Sequence, residues 1–193
     1  MVLRIEDLDP RAQDRSVARL LMDDLTWLGL DWDEGPYFQS ERGDLYADAI
    51  EHLGEQGLTY PCFCTRSELH AATAPHASDG TYVYQGTCRN LSPEEVARKS
   101  MVRRPATRLR VPDEDAPAGT VTFDDVVYGR CSEMLARECG DFLVRRSDGV
   151  VAYQLAVVVD DALMGVTQVV RGHDLLGSAP RQIYLQRLLG FGS

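Results

Sequence analysis

The sequence predicts an α/β fold, and three observations carry that reading. Apolar residues recur at helical spacing after Asp9-Pro10 and again after Ser40. Short apolar, β-branched stretches stand at Val2-Leu3-x-Ile5, 58–62 and 166–170. A helix-opening Ser178-Ala179-Pro180 follows the last of them. Strands that alternate with helices along one chain bury their apolar faces as layers of sheet and helix.

Taken in order, Val2-Leu3-x-Ile5 reads as a strand. Asp9-Pro10 then opens a helix, because the carboxylate can accept from free N–H groups and proline suits the first helical position. Val17, Leu20, Leu21, Leu25 and Leu28 recur along that helix, and Gly29 ends it. A second helix is expected over 40–56, with Leu45, Ala49, Ile50 and Leu53 inward and Gly57 as its stop. A short strand over 58–62 follows. Thr65-Arg66-Ser67-Glu68 and Ser92-Pro93-Glu94-Glu95 both have the spacing of capping boxes, so short helices should flank the Ala/Ser/Gly-rich loop 71–80. Thr107, Leu109 and Val111 alternate with Arg108 and Arg110, as in a half-buried strand, and 112–119 is a Pro/Asp/Ala/Gly connector. Residues 142–146 and 150–153 flank Ser147-Asp148-Gly149 as a hairpin would. The apolar run 155–159 suits a buried strand or a helix equally, whereas 166–170 reads as a strand. The closing helix carries Ile183, Leu185, Leu188 and Leu189.

With 193 residues and 44% hydrophobic composition, the chain can bury one globular core and carry a small inserted module. A net charge of −10 argues against broad non-specific binding to nucleic acid, which needs a basic surface to displace counterions. The one basic stretch, Arg98, Lys99, Arg103, Arg104, Arg108 and Arg110, reads as a solvated charged face or as a local grip on RNA. No apolar run reaches the about 18 residues of a membrane span, and Met1-Val2-Leu3-Arg4 leads straight into acids, unlike a signal peptide. The expected compartment is the cytosol. Five cysteines, three of them around one loop, suit a reducing compartment and a metal better than a disulfide scaffold, with Cys131 and Cys139 as ordinary thiols.

Cys62-x-Cys64 puts two soft thiolates on one tight turn, and Tyr84 with Cys88 returns a phenol oxygen and a third thiolate. Together they can complete a tetrahedral zinc cage, or the thiols are small buried side chains and Tyr84 fills a gap in the core. Glu6 and Asp7 stand at the exit of an apolar strand, where open α/β sheets place ligands, so Glu6 is either a surface carboxylate or the holder of an ammonium group. Arg171 directly follows 166–170, and a guanidinium fork there can bind a carboxylate through two hydrogen bonds. Tyr153 can add a phenol, the alternatives being a structural Arg and a core Tyr. No Ser-His-Asp set, nucleophile elbow or Gly-rich phosphate loop is found in the sequence.

Several long blocks in the right order then resemble one family. Leu3-Arg4-Ile5-Glu6-Asp7-Leu8-Asp9, the set Cys62, Cys64, Tyr84 and Cys88, the block 141–149, Tyr153-Gln154-Leu155-Ala156, Val169-Val170-Arg171-Gly172-His173 and Pro180-Arg181-Gln182-Ile183 are similar to the catalytic core of glutamyl-type class I aminoacyl-tRNA synthetases. The resemblance covers almost the whole chain. It implies an incomplete Rossmann-like class I core with an inserted zinc-binding subdomain: 1–57 part of the nucleotide-binding core, 58–130 the zinc insertion and connecting strands, and 131–193 the second half of the core. It also implies that Glu6, Tyr153 and Arg171 contact glutamate, that Cys62, Cys64, Tyr84 and Cys88 hold a structural Zn2+, and that ATP with Mg2+ is a substrate. The Tyr-x3-Cys half of the metal set and the run Leu175-Leu176-x-Ser178-x-Pro180-Arg181-Gln182-Ile183 are most similar to the branch that transfers glutamate to queuosine in the anticodon of tRNA(Asp). A discriminating glutamyl-tRNA synthetase core, or a non-catalytic binding module of synthetase descent, are the alternatives.

The chain departs from the family's pattern in one respect. No His-x-Gly-His occurs, and Lys99 is the sole lysine, so neither of the two signatures that grip ATP is found. The chain therefore reads as an internal portion, impaired by itself, since each missing phosphate contact is worth about 3 kcal/mol in the transition state. The glutamate pocket further requires Glu6 and Arg171 to lie close enough to clasp the two ends of one amino acid.

Overall fold

The computed structural model describes residues 1–69 and 83–192, and the loop expected at 71–80 lies outside them. The chain divides into two compact units, Met1–Ala47 and Asp48–Ser193. In the first, β1 (Val2–Ile5) pairs in parallel with β2 (Glu34–Phe38), and α1 (Arg15–Trp27) crosses between them. The first helix begins later than the sequence suggests. Asp9 caps only a short 3-10 turn over Pro10–Ala12, and Asp14 caps α1 by accepting from the Ser16 N–H at 2.9 Å. Two cap residues five positions apart divide what looked like one helix. Gly29 ends α1 with φ +75°, as expected. Asp7 is buried, its carboxylate taking the Ser40 N–H at 2.9 Å and the Ser40 hydroxyl at 2.6 Å. It is thus a tie between the ends of β1 and β2.

A long helix, α2 (Gly43–Glu55), leads into the second unit, with Ala49, Ile50 and Leu53 buried and Gly57 beyond its end at φ +69°. There β3 (Thr59–Cys62) runs into a turn and the one-turn α3 (Arg66–Leu69). After the undescribed segment come α4 (Pro93–Ser100) and β4 (Ala106–Leu109). Both expected capping boxes form. Thr65 and Glu68 exchange side-chain and backbone bonds, and so do Ser92 and Glu95. The hairpin of β5 (Thr120–Asp125) and β6 (Gly129–Met134) was not legible in the sequence, because its tip, Val126-Val127-Tyr128, is apolar and exposed. A short α5 (Leu135–Glu138) then leads to β7 (Phe142–Arg145).

The central sheet is antiparallel, in the order β3-β4-β7. Arg146 and Val150 close the turn after β7 as predicted, with Gly149 at φ +96°. The ambiguous run 155–159 belongs to α6 (Tyr153–Leu163), and all five of its residues are buried. Residues 166–170 form no strand. Val166, Val169 and Val170 are exposed, and among the described residues no strand pairs with this stretch, so β-branched composition had nothing to pair with. A 3-10 stretch over His173–Ser178 and α7 (Ala179–Leu188) finish the unit.

β4 also corrects the expected alternation. Arg108 and Leu109 are both buried, on opposite faces of the sheet, and the β4–β7 register shifts between Thr107 and Arg108. Leu109, Val144, Leu155 and Val158 are all buried. Tyr60, Cys62, Phe63, Tyr84 and Cys88 form a small buried cluster.

Candidate functional site

That small cluster contains three members of the predicted metal set, Cys62, Tyr84 and Cys88, and the fourth, Cys64, packs against it. β3 delivers Cys62, the turn beyond it delivers Cys64, and Tyr84 and Cys88 arrive on the chain that returns before α4. Tyr84 is held by main chain, forming a parallel bridge with Gly140. Gly140 has φ +59°, and a Cβ there would meet the Tyr84 carbonyl oxygen at 2.8 Å. Only glycine lets the two backbones approach so closely.

The four donor atoms converge. The Sγ atoms of Cys62, Cys64 and Cys88 lie within 4.8 Å of one another, and that of Cys64 is 3.7 Å from that of Cys88. The Tyr84 Oη is 3.6 Å from Cys62 Sγ and 3.6 Å from Cys64 Sγ. A tetrahedron built on zinc–sulfur bonds of about 2.3 Å and a zinc–oxygen bond of about 2.0 Å has edges of about 3.8 and 3.5 Å. The Tyr84 contacts and the Cys64–Cys88 separation match those edges, and the donor set fits a zinc ion in its chemistry.

The surroundings favour thiolate at one position above all. Burial opposes charge on Cys62, but its hydrogen bonds with Tyr84 and Arg108 outweigh it and hold this thiol below its ordinary range. Burial pushes Cys64 up to about 11, helped by the charge on Cys62. Burial, then the hydrogen bond with Cys62, raises the Tyr84 phenol. The Phe63 N–H points at Cys88 Sγ from 3.4 Å, and the Cys88 N–H donates to Tyr84 Oη at 2.8 Å.

Much of the support around these residues was not anticipated. The basic stretch is no solvated face throughout: Arg108 is buried beside Cys62, Arg103 donates to the Phe63 carbonyl at 3.0 Å, and Arg110 donates to the Arg89 carbonyl. Asp141, just before β7, is 2% exposed and joins four segments. It accepts from the Tyr60 hydroxyl at 2.6 Å, from Arg89 Nη1 at 2.9 Å and from the Val111 N–H at 2.8 Å, while its backbone carbonyl accepts from Arg108 Nη1 at 2.6 Å. The one sequence signal for Asp141 is an acid standing directly between Gly140 and an apolar strand.

The residues expected to bind glutamate fall in both units. Glu6 is exposed and pairs with Arg4 at 3.3 Å within the first unit. Tyr153 and Arg171 belong to the second. Tyr153 opens α6 and is 39% exposed, and it lines a cleft of about 570 Å³ that Cys64, Tyr84, Arg108 and Gln154 also border. Arg171 is half-buried, and its Nη1 donates to the Gln182 Oε1 on α7 at 2.6 Å. That partner is a neutral amide, which orients the guanidinium without cancelling its charge. The Nε2 of Gln182 and the Oε1 of Gln154 are buried without a hydrogen-bond partner among the described residues.

Known proteins resemble the chain over nearly its whole length. The family described as tRNA synthetases class I (E and Q), catalytic domain, matches residues 1–192. A glutamyl-Q tRNA(Asp) synthetase of Nitratidesulfovibrio vulgaris is 52% identical over 98% of the chain, and one of Symbiobacterium thermophilum is 50% identical over the same share. A glutamate–tRNA ligase of a Sulfurihydrogenibium species is 42% identical over 98% of the chain. The chain spans 60% of the length of the first two relatives and 41% of the third. Among solved structures, a glutamate tRNA ligase of Elizabethkingia meningosepticum in complex with its amino acid superposes with a TM-score of 0.80 at 25% identity, over 100% of this chain and 41% of that one. The α/β architecture is thus the class I catalytic fold, and the chain belongs to the family of glutamate- and glutamine-type class I tRNA synthetase catalytic domains.

Proposed function

We propose that the chain is catalytic core of a ligase that activates glutamate with ATP and transfers it to queuosine in the anticodon of tRNA(Asp). The observation that carries this reading is the 50–52% identity, over nearly the whole chain, to two proteins named glutamyl-Q tRNA(Asp) synthetase. In the first step a glutamate carboxylate oxygen attacks the α-phosphorus of ATP, and pyrophosphate leaves. In the second, a hydroxyl of the queuosine ring attacks the acyl carbon of glutamyl-adenylate, losing its proton as AMP departs. No covalent enzyme intermediate is required, so catalysis rests on positioning and on stabilising charge at phosphorus.

In this reading Arg171 takes a glutamate carboxylate with the part of its fork that Gln182 leaves open, Tyr153 contributes its phenol, and Glu6 holds the ammonium group. Cys62, Cys64, Tyr84 and Cys88 would hold zinc. Four protein ligands leave no open position, so the ion supplies rigidity to the loop rather than a Lewis acid. Glutamate-dependent exchange between ATP and pyrophosphate, measured without tRNA on the natural gene product, tests the first step, and its absence removes the proposal. Arg171→Met is expected to raise KM for glutamate at least about 100-fold, the scale of losing a charge-assisted carboxylate contact of about 3 kcal/mol. The relatives named glutamate–tRNA ligase support a second reading in which the acceptor is tRNA(Glu). Labelled glutamate offered to queuosine-containing tRNA(Asp) and to tRNA(Glu) separates the two by which RNA becomes charged.

A further inference from the structure

Arg108 has contacts that glutamate binding does not explain. It is 6% exposed on β4. Its Nε donates to Cys62 Sγ at 3.2 Å, its Nη1 donates to the Asp141 carbonyl at 2.6 Å, and its guanidinium carbon lies 3.7 Å from the centre of the Tyr84 ring. One planar group thus touches two of the four candidate ligands and is itself fixed from the far side. Among the described residues these partners are a sulfur, a backbone carbonyl and a ring face, with no carboxylate.

A buried guanidinium is costly without a compensating charge nearby. Three thiolates around a dication carry one net negative charge, before any charge on Tyr84. We infer that Arg108 is the charge-balancing and positioning residue of the metal site: its guanidinium offsets the excess negative charge of the tris-thiolate centre and holds Cys62 and Tyr84 in ligating orientation. This rests on the zinc reading given above. Lysine cannot do the same work, because a single ammonium cannot donate along a fixed fork to Cys62 and to Asp141 while lying flat on a ring.

The test is metal affinity, independent of catalysis. Zinc binding to the full chain is measured by competition with a chromophoric chelator, and cobalt substitution reads the thiolate-to-metal charge-transfer band. The unaltered chain is expected to bind one ion. Arg108→Met is expected to weaken zinc affinity by about 10–100-fold and to shift the cobalt band, as losses of groups that orient metal ligands do. Arg108→Lys should recover part of the affinity. Arg137→Met serves as the control, since Arg137 is exposed and pairs with Glu114 at 2.9 Å, and it should leave affinity unchanged. Should Arg108→Met fail to fold, Arg108→Gln, which keeps donors without charge, carries the comparison. A folded neutral variant that binds zinc as tightly as the unaltered chain overturns the inference and leaves the zinc site standing. An unaltered chain that binds no zinc overturns the site and the inference together.

Discussion

Replacing Asp141 with alanine is expected to destabilise the second unit by about 3–5 kcal/mol, the range for removing one partner of a buried ion pair. The magnitude follows from what the carboxylate holds. Arg89 Nη1 loses a charge-assisted bond of 2.9 Å, worth about 1.5–3 kcal/mol. The Tyr60 hydroxyl and the Val111 N–H, at 2.6 and 2.8 Å, lose acceptors in a buried setting, at about 1–3 kcal/mol each. Summed, these exceed the expected total, because removing the carboxylate also removes its own desolvation cost and opens space for water. Asp141→Asn keeps one acceptor oxygen, and the Tyr60 oxygen can accept from the new amide, so about 2 kcal/mol is expected there. Urea unfolding followed by far-UV circular dichroism measures both. With a slope of about 2 kcal/mol/M, the alanine variant should lower the midpoint by about 1.5–2.5 M. A loss below about 1 kcal/mol for alanine would refute the claim that this carboxylate joins the sheet to the metal loop.

Ser92→Ala breaks the capping box of α4 and should cost about 1 kcal/mol in the same urea assay. Gly140→Ala forces a Cβ to 2.8 Å from the Tyr84 carbonyl at φ +59°, so a loss of about 2 kcal/mol or more is expected, with weaker metal uptake because Tyr84 is displaced. Stability should also fall at alkaline pH. Burial pushes Cys139 up to about 12 from an ordinary 9.0, and burial together with the bond to Asp141 raises the Tyr60 phenol. Groups whose folded pKa is raised contribute stability that is fully present below the unfolded pKa and lost as pH climbs toward the folded one. Tm, measured with a chelator present, should therefore hold up to about pH 9 and decline between 9 and 12, and a flat profile to pH 11 would contradict this.

Local chemistry made some of this protein readable in advance. Capping boxes at Thr65 and Ser92, helix stops at Gly29 and Gly57 and the turn at Gly149 depend on residues a few positions apart, and each forms where the sequence places it. The stretch 166–170 failed because strand formation needs a partner, which composition does not reveal. Arg108 was misread because alternation with Leu109 implies one wet face, whereas both faces of this sheet are covered. Asp141 was invisible as a hub because its donors come from positions 60, 89 and 111. For the candidate metal ligands, by contrast, the convergence of the donor atoms was legible, since Cys62-x-Cys64 and Tyr84-x3-Cys88 are local pairs. The residues that brace them were not.

The position of Asp141 fixes when the cluster of Cys62, Cys64, Tyr84 and Cys88 can be braced during synthesis. All three cysteines and the tyrosine leave the ribosome well before residue 141 does, so a nascent chain carries every ligand yet lacks the anchor for Arg89 and Arg108. An ion captured at that stage meets loose thiols on an unfinished sheet. If the proposed zinc binds, its secure loading would belong to the moment after β7 has emerged and docked beside β4.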